Sequence, residues 1–453
     1  MTIFWQKPLT SVARFWKTLT FTKASKYFLV LFLLMFPFQI RSMLYSVPLY
    51  QSGEFDFYTS FFLYLSDLFF LFSFLCWTIG LWRKETEWRF QLGDEMITFI
   101  ILALLLIMVG NAFFVAQPEL HFFITFRFVE LFLLYFMVVN RVLRQEQIVL
   151  FLLFGLCFQA LVAFYQYILQ SSVGLTFLGE AQVNINTLGV AKVDLGSEKI
   201  LRAFGTMPEA NVLGGLLFMG IIYAIALLKK YRWIVVGMLF LLAAGMLFTF
   251  SRSAFFALIA AFLLYISVQN SKIAIKYILL AMSLLLFFIV VFNLENVVAQ
   301  RFLFEDTASI QERTMYLKIS KNMFFDQPLG VGLGAFTLNM QAYTTDKLTP
   351  WLFQPVHNIF LLMANEMGLV GGFLFLALFV YAFYQLVRLT RRQKNSENRS
   401  SVALLLAMLA GIAVIGFFDH YFLTIYQGQV MLFIYFGFVS SLLSSNRLPA
   451  KNS

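Results

Sequence analysis

Three residues combine type and position in a way that suits chemistry: Arg202, Arg252 and His357. Arg202 lies in Arg202-Ala203-Phe204-Gly205-Thr206-Met207-Pro208-Glu209-Ala210-Asn211, where Pro208 and Glu209 read as the first turn of a helix. Arg252 lies in Phe250-Ser251-Arg252-Ser253-Ala254, a tight turn between two apolar runs. Guanidinium is a planar fork of donors, so two of them can each hold one phosphate. Such a pair suits a diphosphate on a membrane-embedded lipid and would meet the charge on a departing diphosphate. His357, in Pro355-Val356-His357-Asn358-Ile359-Phe360, offers an imidazole able to accept a proton near neutral pH, with Asn358 placed to help orient it. Each residue also has a plainer reading. An interfacial arginine snorkels to lipid phosphate, and a lone interfacial histidine bridges headgroups and helix ends.

These side chains need elements to carry them, and composition says what kind. Of 453 residues, 61% are hydrophobic, 19% aromatic and only 12% charged, and the mean hydropathy is +0.81. That much apolar surface exceeds what one water-soluble core can bury, and it excludes disordered, collagen-like and disulfide-rich secreted classes. The two cysteines, Cys76 and Cys157, lie in apolar runs. A formal charge of +10 would suggest nucleic acid in a soluble protein; here it reports where Lys and Arg flank the membrane, with membrane lipids as partners and no nucleic acid.

About 20 apolar residues are needed to cross the hydrocarbon core as a helix. Twelve segments qualify, near 27–47, 58–82, 95–116, 121–140, 147–170, 209–228, 233–250, 253–270, 277–294, 357–385, 402–418 and 426–444. Their runs are continuous rather than alternating and too long for barrel strands, so the predicted fold is an all-α polytopic membrane protein. With both termini cytoplasmic, most Lys and Arg fall in short connections on that side, as the positive-inside rule asks. Pro37 and Arg41 within the first span, without a small-residue cleavage site, read as a retained anchor rather than a removed signal peptide.

The resulting organisation is a cytoplasmic segment 1–26, a five-helix region 27–170, a first outer loop 171–208, a four-helix region 209–294, a second outer loop 295–356, a three-helix region 357–444 and a cytoplasmic tail 445–453. Long connections are where function concentrates. In the second, Met315, Ile319 and Met323 recur at helical spacing with Lys318 and Lys321 elsewhere on the wheel, which suits a helix lying on the membrane surface.

Other groups are less pointed. Arg313 and Arg301 are further outer arginines, and an ordinary surface role is expected for Arg301. The run Gln327-Pro328-Leu329-Gly330-Val331-Gly332-Leu333-Gly334 permits tight turns or close approach of a ligand; lacking a following Gly-Lys-Ser/Thr it is no P-loop, and a packed re-entrant turn is the expected role. Arg127 and Glu130, one turn apart within a span, suit a mutual ion pair, which is structural or lines a cavity. Asp67, Glu366 and Asp419 are scattered carboxylates best read as caps or interhelical bonds, and His121 and His420 join His357 at the outer boundary. A transporter or flippase is the competing class, resting on the many spans and on Asp67, Arg127 and Glu130. No Cys/His cluster or His-Glu-x-x-His spacing suggests a metal.

The segment Arg202 to Asn211, Ser251-Arg252-Ser253-Ala254, Arg313 followed by Gln327 to Gly334, and Pro355 to Asn358 continuing through Asn365-Glu366-Met367-Gly368-Leu369-Val370-Gly371 together resemble the O-antigen ligase and O-antigen polymerase superfamily of bacterial membrane glycosyltransferases. The similarity covers roughly residues 200–380. It implies a C-type-glycosyltransferase-like fold in the bacterial cytoplasmic membrane with its active face periplasmic or extracellular. It also implies a metal-independent, cofactor-free transfer of a glycan from an undecaprenyl-diphosphate carrier. The acceptor would be lipid A–core in a ligase, another lipid-linked glycan in a polymerase, or protein in some relatives. By the same resemblance Arg202 and Arg252 are diphosphate ligands, Arg313 a helper and His357 the general base; Asn358, Gly332 and Gly334 are the expected supporting residues beside them.

Overall fold

The structure, a computed structural model, describes residues 20–48, 57–85, 90–196, 199–269, 286–303 and 307–447, together with Lys276 and Ser283. It is an all-α polytopic membrane protein. Among the described residues eight helices are long and apolar enough to cross a bilayer, and Glu95–Asn111 and Arg232–Phe248 are shorter apolar helices of the same kind. Helices stand at every predicted span; within 277–294 residues 283 and 286–291 are helical, and 277–282, 284 and 285 lie outside the described residues.

In chain order the helices are α1 (Phe21–Met35), α2 (Leu65–Trp82), α3 (Glu95–Asn111), α4 (Pro118–Val139), α5 (Gln145–Leu169), α6 (Ala210–Leu227), α7 (Arg232–Phe248), α8 (Arg252–Gln269), α9 (Glu295–Leu303), α10 (Thr307–Asp326), α11 (Phe336–Asn339), α12 (Ile359–Arg392), α13 (Ser396–Phe418), α14 (Tyr421–Thr424) and α15 (Tyr426–Arg447). Helix α1 packs on α2, α6 on α7, α8 on α13, and α15 on α4. The connections predicted to be cytoplasmic gather at one end of the bundle: Lys230 pairs with Glu146 at 2.7 Å and Lys229 with Glu397 at 3.4 Å.

Two boundaries differ from the sequence reading. The span expected at 27–47 is helical only as Phe21–Met35; residues Arg41–Ser46 form strand β1, antiparallel to β2 (Ser60–Tyr64), which takes the start of the span expected at 58–82. Pro37 lacks the N–H that would continue the helix. Beyond it, Arg41 turns to Gln39 Oε1 (3.0 Å) and stacks over Phe57 and Phe62. A second hairpin, β3 (Lys192–Asp194) with β4 (Lys199–Leu201), lies in the first outer loop.

The other concerns α12. Its 34 residues would measure about 51 Å as one straight helix, far beyond a hydrocarbon core of about 30 Å. The helix is broken at Gly368, whose backbone adopts φ +71°. A break frees carbonyls, and the glycine-rich run supplies their donors: Val331 and Gly332 N–H groups reach the Asn365 and Glu366 carbonyls at 2.9 Å each, and Leu369 N–H reaches the Pro328 carbonyl at 3.0 Å. The run is thus the packed turn expected of it, and the two sequence motifs are one structural unit. A Cβ on Gly330, at φ +90°, would stand 2.5 Å from both the Glu366 carbonyl oxygen and the Gly368 nitrogen. Gly330→Val should therefore destabilise the protein by about 2–5 kcal/mol, read as a lowered melting midpoint in detergent; an unchanged midpoint would show the turn to be dispensable.

Within the bundle, Arg127 is buried with Asp67 and Glu130. It pairs with Asp67 at 2.8 Å and Glu130 at 2.6 Å, and donates to the Phe62 carbonyl at 2.8 Å. Tyr426 stacks on Tyr64 and lies beneath the guanidinium. The Arg127–Glu130 pair expected from spacing therefore includes Asp67, and it ties β2 and α2 to α4.

Candidate functional site

The path to Arg202 begins with two glutamines on α5. Gln159 and Gln166, seven residues apart, share one face of that helix and are fully buried. Gln166 Oε1 accepts from the N–H groups of Phe204 (3.0 Å) and Gly205 (2.8 Å), and its Nε2 donates to the Gly205 carbonyl at 2.7 Å. Gln159 holds Thr206 in the same way, through its backbone N–H at 2.8 Å and its hydroxyl at 2.9 Å. An irregular backbone is thereby satisfied inside the bundle. Ala203 N–H bonds to the Phe248 carbonyl at 2.9 Å, which sets Arg202 beside the turn between α7 and α8.

Arg202 is buried and donates from Nε to the Thr249 carbonyl at 2.8 Å. Arg301, on α9, donates from Nε to the next carbonyl, Phe250, at 3.3 Å. Arg252 opens α8 two residues later and is half-buried. One turn therefore gathers three guanidiniums. Burial and then the charge of Arg301 push the Arg202 guanidinium down to about 9, with Arg252 acting in the same direction. Crowded cations in a poorly solvated place are the electrostatic complement of an anion.

Arg202, Arg301, Arg313, Tyr316 and His357 line one cavity of about 380 Å³, together with Lys192, Glu209, Asn211, Glu312 and Gln354. Its walls come from the two long connections predicted to be outer and from the start of α6. Two distant stretches predicted to carry chemistry, Arg202 and His357, thus meet there with Arg313. Arg252 does not line the cavity, but it is close enough for its charge to act on Arg202. Arg301 contradicts its expected surface role, because α9 folds back onto the α7–α8 turn rather than into solvent.

The His357 imidazole stacks on Tyr316, with ring centres 5.4 Å apart. Burial and the neighbouring Arg313 charge push it down to about 3, so the ring is neutral throughout the physiological range. Asn358 acts differently from expectation. Its Oδ1 accepts from the N–H groups of Phe360 and Leu361 at 3.0 Å each, capping α12, so it fixes the helix start that carries His357 rather than the ring itself. Gly332 and Gly334 stand away from the cavity: Gly332 bonds to the broken helix, and Gly334 lines a separate aromatic cavity with Arg127 and Glu366.

The other histidines part company. His121 is buried within α4, with Nε2 2.6 Å from the Met108 carbonyl and Nδ1 accepting from Leu333 N–H at 2.9 Å, the bridging role of a structural histidine. His420 comes within 5.0 Å of His357, ring centre to ring centre. Its neighbour Asp419 accepts from Asn211 Nδ2 at 3.1 Å, and Asn211 Oδ1 accepts from Arg202 at 2.5 Å. Burial, then the negative charge of Glu209, push the Asp419 carboxyl up to about 7. Glu209 in turn accepts from the Tyr58 hydroxyl at 2.7 Å.

Sequence reasoning overlooked Tyr316, Glu209 and Asn211 as parts of this wall, and Gln159 and Gln166 behind it. Two glutamines at heptad spacing in an apolar span were the available signal, since each is costly there without a partner. The expected surface helix exists as α10, with Lys318 and Lys321 exposed, but Ile319 and Met323 are fully buried and its apolar stripe faces α12. The stripe is covered by protein, which accounts for it without a membrane surface.

No curated protein matches the chain. Residues 237–376 match the family model described as O-antigen ligase, a stretch that includes Arg252, Arg301, Arg313, the glycine-rich turn and His357 but not Arg202 or Asp419. That match, over less than a third of the chain, supports assignment to the O-antigen ligase and polymerase superfamily, and with it a membrane enzyme that transfers glycans in surface polysaccharide assembly.

Proposed function

We propose that this protein moves a glycan from an undecaprenyl-diphosphate carrier to an acceptor hydroxyl, with Arg202 and Arg301 gripping the diphosphate, Arg252 adding positive charge beside Arg202, Arg313 assisting and His357 acting as general base. The observation that carries the reading is a single cavity bordered by Arg202, Arg301, Arg313 and His357. Arg301 joins the diphosphate side of the site, because its guanidinium shares the Thr249–Phe250 turn with Arg202.

The chemistry follows from charge. As the acceptor oxygen attacks the anomeric carbon, the bond from that carbon to the diphosphate oxygen breaks and its electron pair leaves on the diphosphate. Positive groups fixed around that oxygen stabilise the transition state more than the ground state, because the charge is localised only as the bond breaks. The acceptor proton passes to His357. Burial and, after it, the Arg313 charge hold the imidazole's basicity down; a bound diphosphate offsets the Arg313 charge, so the ring becomes a better base when the carrier is in place. One displacement inverts the anomeric centre.

The test is reconstitution of the purified chain in liposomes containing an undecaprenyl-diphosphate-linked glycan and a glycan acceptor. A new glycosidic bond with inverted configuration and release of undecaprenyl diphosphate is expected. Movement of the carrier across the vesicle without bond formation would overturn the reading in favour of a flippase.

A further inference from the structure

The turn between α13 and α14 holds an imidazole that the proposed reaction has not used. His420 is fully buried. Its ring packs edge to face against Tyr58 (5.2 Å) on one side and His357 (5.0 Å) on the other, while Tyr316 covers a face of His357. His420 Nδ1 lies 2.8 Å from Thr424 Oγ1, and the same hydroxyl donates to the His420 carbonyl at 3.3 Å. A hydroxyl carries one proton; both contacts are satisfied together only with that proton on the carbonyl and the ring hydrogen on Nδ1, an arrangement that leaves the lone pair on Nε2.

Two ring nitrogens are then left over. Among the described residues, His420 Nε2 and His357 Nδ1 are both sealed from solvent and neither has a hydrogen-bond partner. Leaving such groups unpaired costs about 1–3 kcal/mol each. Two imidazoles joined by an N–H···N bond of about 2.9 Å have ring centres about 5 Å apart, which is the separation seen here.

We propose that His420 is the positioning residue of His357: its Nε2 accepts the His357 Nδ1–H, which holds His357 in the tautomer whose Nε2 lone pair takes the acceptor's proton. This rests on the general-base reading of His357. During transfer the acceptor O–H proton goes to His357 Nε2, the acceptor oxygen bonds to the anomeric carbon, and the diphosphate leaves with the electron pair. The Nδ1–H stays with His357, and its bond to His420 strengthens as the imidazolium forms. The backbone N–H of His420 is itself held by Asp419 Oδ1 at 2.9 Å. Asp419, Asn211 and Arg202 thereby link the diphosphate side of the site to the turn that carries the second imidazole.

The test uses the full chain in liposomes with undecaprenyl-diphosphate-linked glycan and acceptor, measuring kcat and KM. His420→Phe keeps the ring's bulk without an acceptor; kcat should fall about 10- to 100-fold, less than the whole worth of general-base proton transfer, with KM for the carrier nearly unchanged. His420→Gln puts an amide oxygen near the place of Nε2 and should restore most of kcat, whereas His420→Asn, whose oxygen reaches only the place of Nδ1, should not. Equal activity of the Gln and Asn proteins, or a change confined to KM, would overturn the proposal, and this comparison decides the matter even if the Phe protein does not fold. His357→Ala in parallel separates the two failures. An active His357→Ala protein overturns the general-base reading and this pairing with it; an inactive one beside a fully active His420→Phe protein overturns the pairing alone.

Discussion

His357→Ala is expected to lower kcat for glycan transfer about 10²- to 10⁴-fold, the usual worth of a positioned proton acceptor, while KM for the carrier changes little. The separation follows from the cavity: His357 stands against Tyr316 and Arg313, whereas Arg202 and Arg301 hold the α7–α8 turn. His357→Gln keeps a hydrogen-bonding amide but cannot take a proton, so it should fall as far as the alanine protein. Melting midpoints of both should stay near that of the unaltered protein, because the α12 cap is made by Asn358 rather than by the histidine. Transfer at the unaltered rate in either variant, measured in liposomes with saturating carrier and acceptor, would remove His357 from the reaction.

The second large effect belongs to Arg202. Arg202→Ala should reduce transfer about 10²- to 10³-fold, as removal of one well-placed donor to a developing oxyanion does elsewhere. It also leaves the Thr249 carbonyl and Asn211 Oδ1 without their donor, at about 1–3 kcal/mol for each buried group, so a lower melting midpoint accompanies the loss. Arg202→Lys separates the two roles. Lysine keeps the charge but not the planar fork, so the carrier's KM should rise and kcat fall less than in the alanine protein. A lysine protein that transfers as fast as the unaltered chain would show that charge alone suffices. An alanine protein with normal kcat and only a lower melting midpoint would make Arg202 a structural tie between the first outer loop and the α7–α8 turn.

Arginines illustrate how far residue type carries and where it stops. Arg202, Arg252, Arg301 and Arg313 were all recognisable as charges in connections predicted to be outer, where positive residues are disfavoured and each needs a reason. Their ranking was not recognisable. Arg301 lines the cavity, as Arg252 does not, because α9 returns over Phe250, and nothing in the spacing of 301 and 250 records that return. Asn358 shows the same limit at short range. Adjacency to His357 suggested contact with the ring, but an N-cap side chain is committed to the N–H groups two and three residues ahead.

Apolar runs of about 20 residues, separated by short basic connections, determined a helical membrane protein and very nearly all its spans, because burying backbone in lipid leaves a helix as the local solution. Local chemistry likewise marked the glycine-rich run as a turn. Only the tertiary structure decided that this turn closes the break at Gly368, that Asp67 joins Arg127 and Glu130, and that His420 comes to lie 5.0 Å from His357. The physical reason is that hydrophobic burial and backbone satisfaction along one segment are legible from its own residues, whereas a hydrogen bond or ring contact between residues far apart in the chain depends on how helices pack.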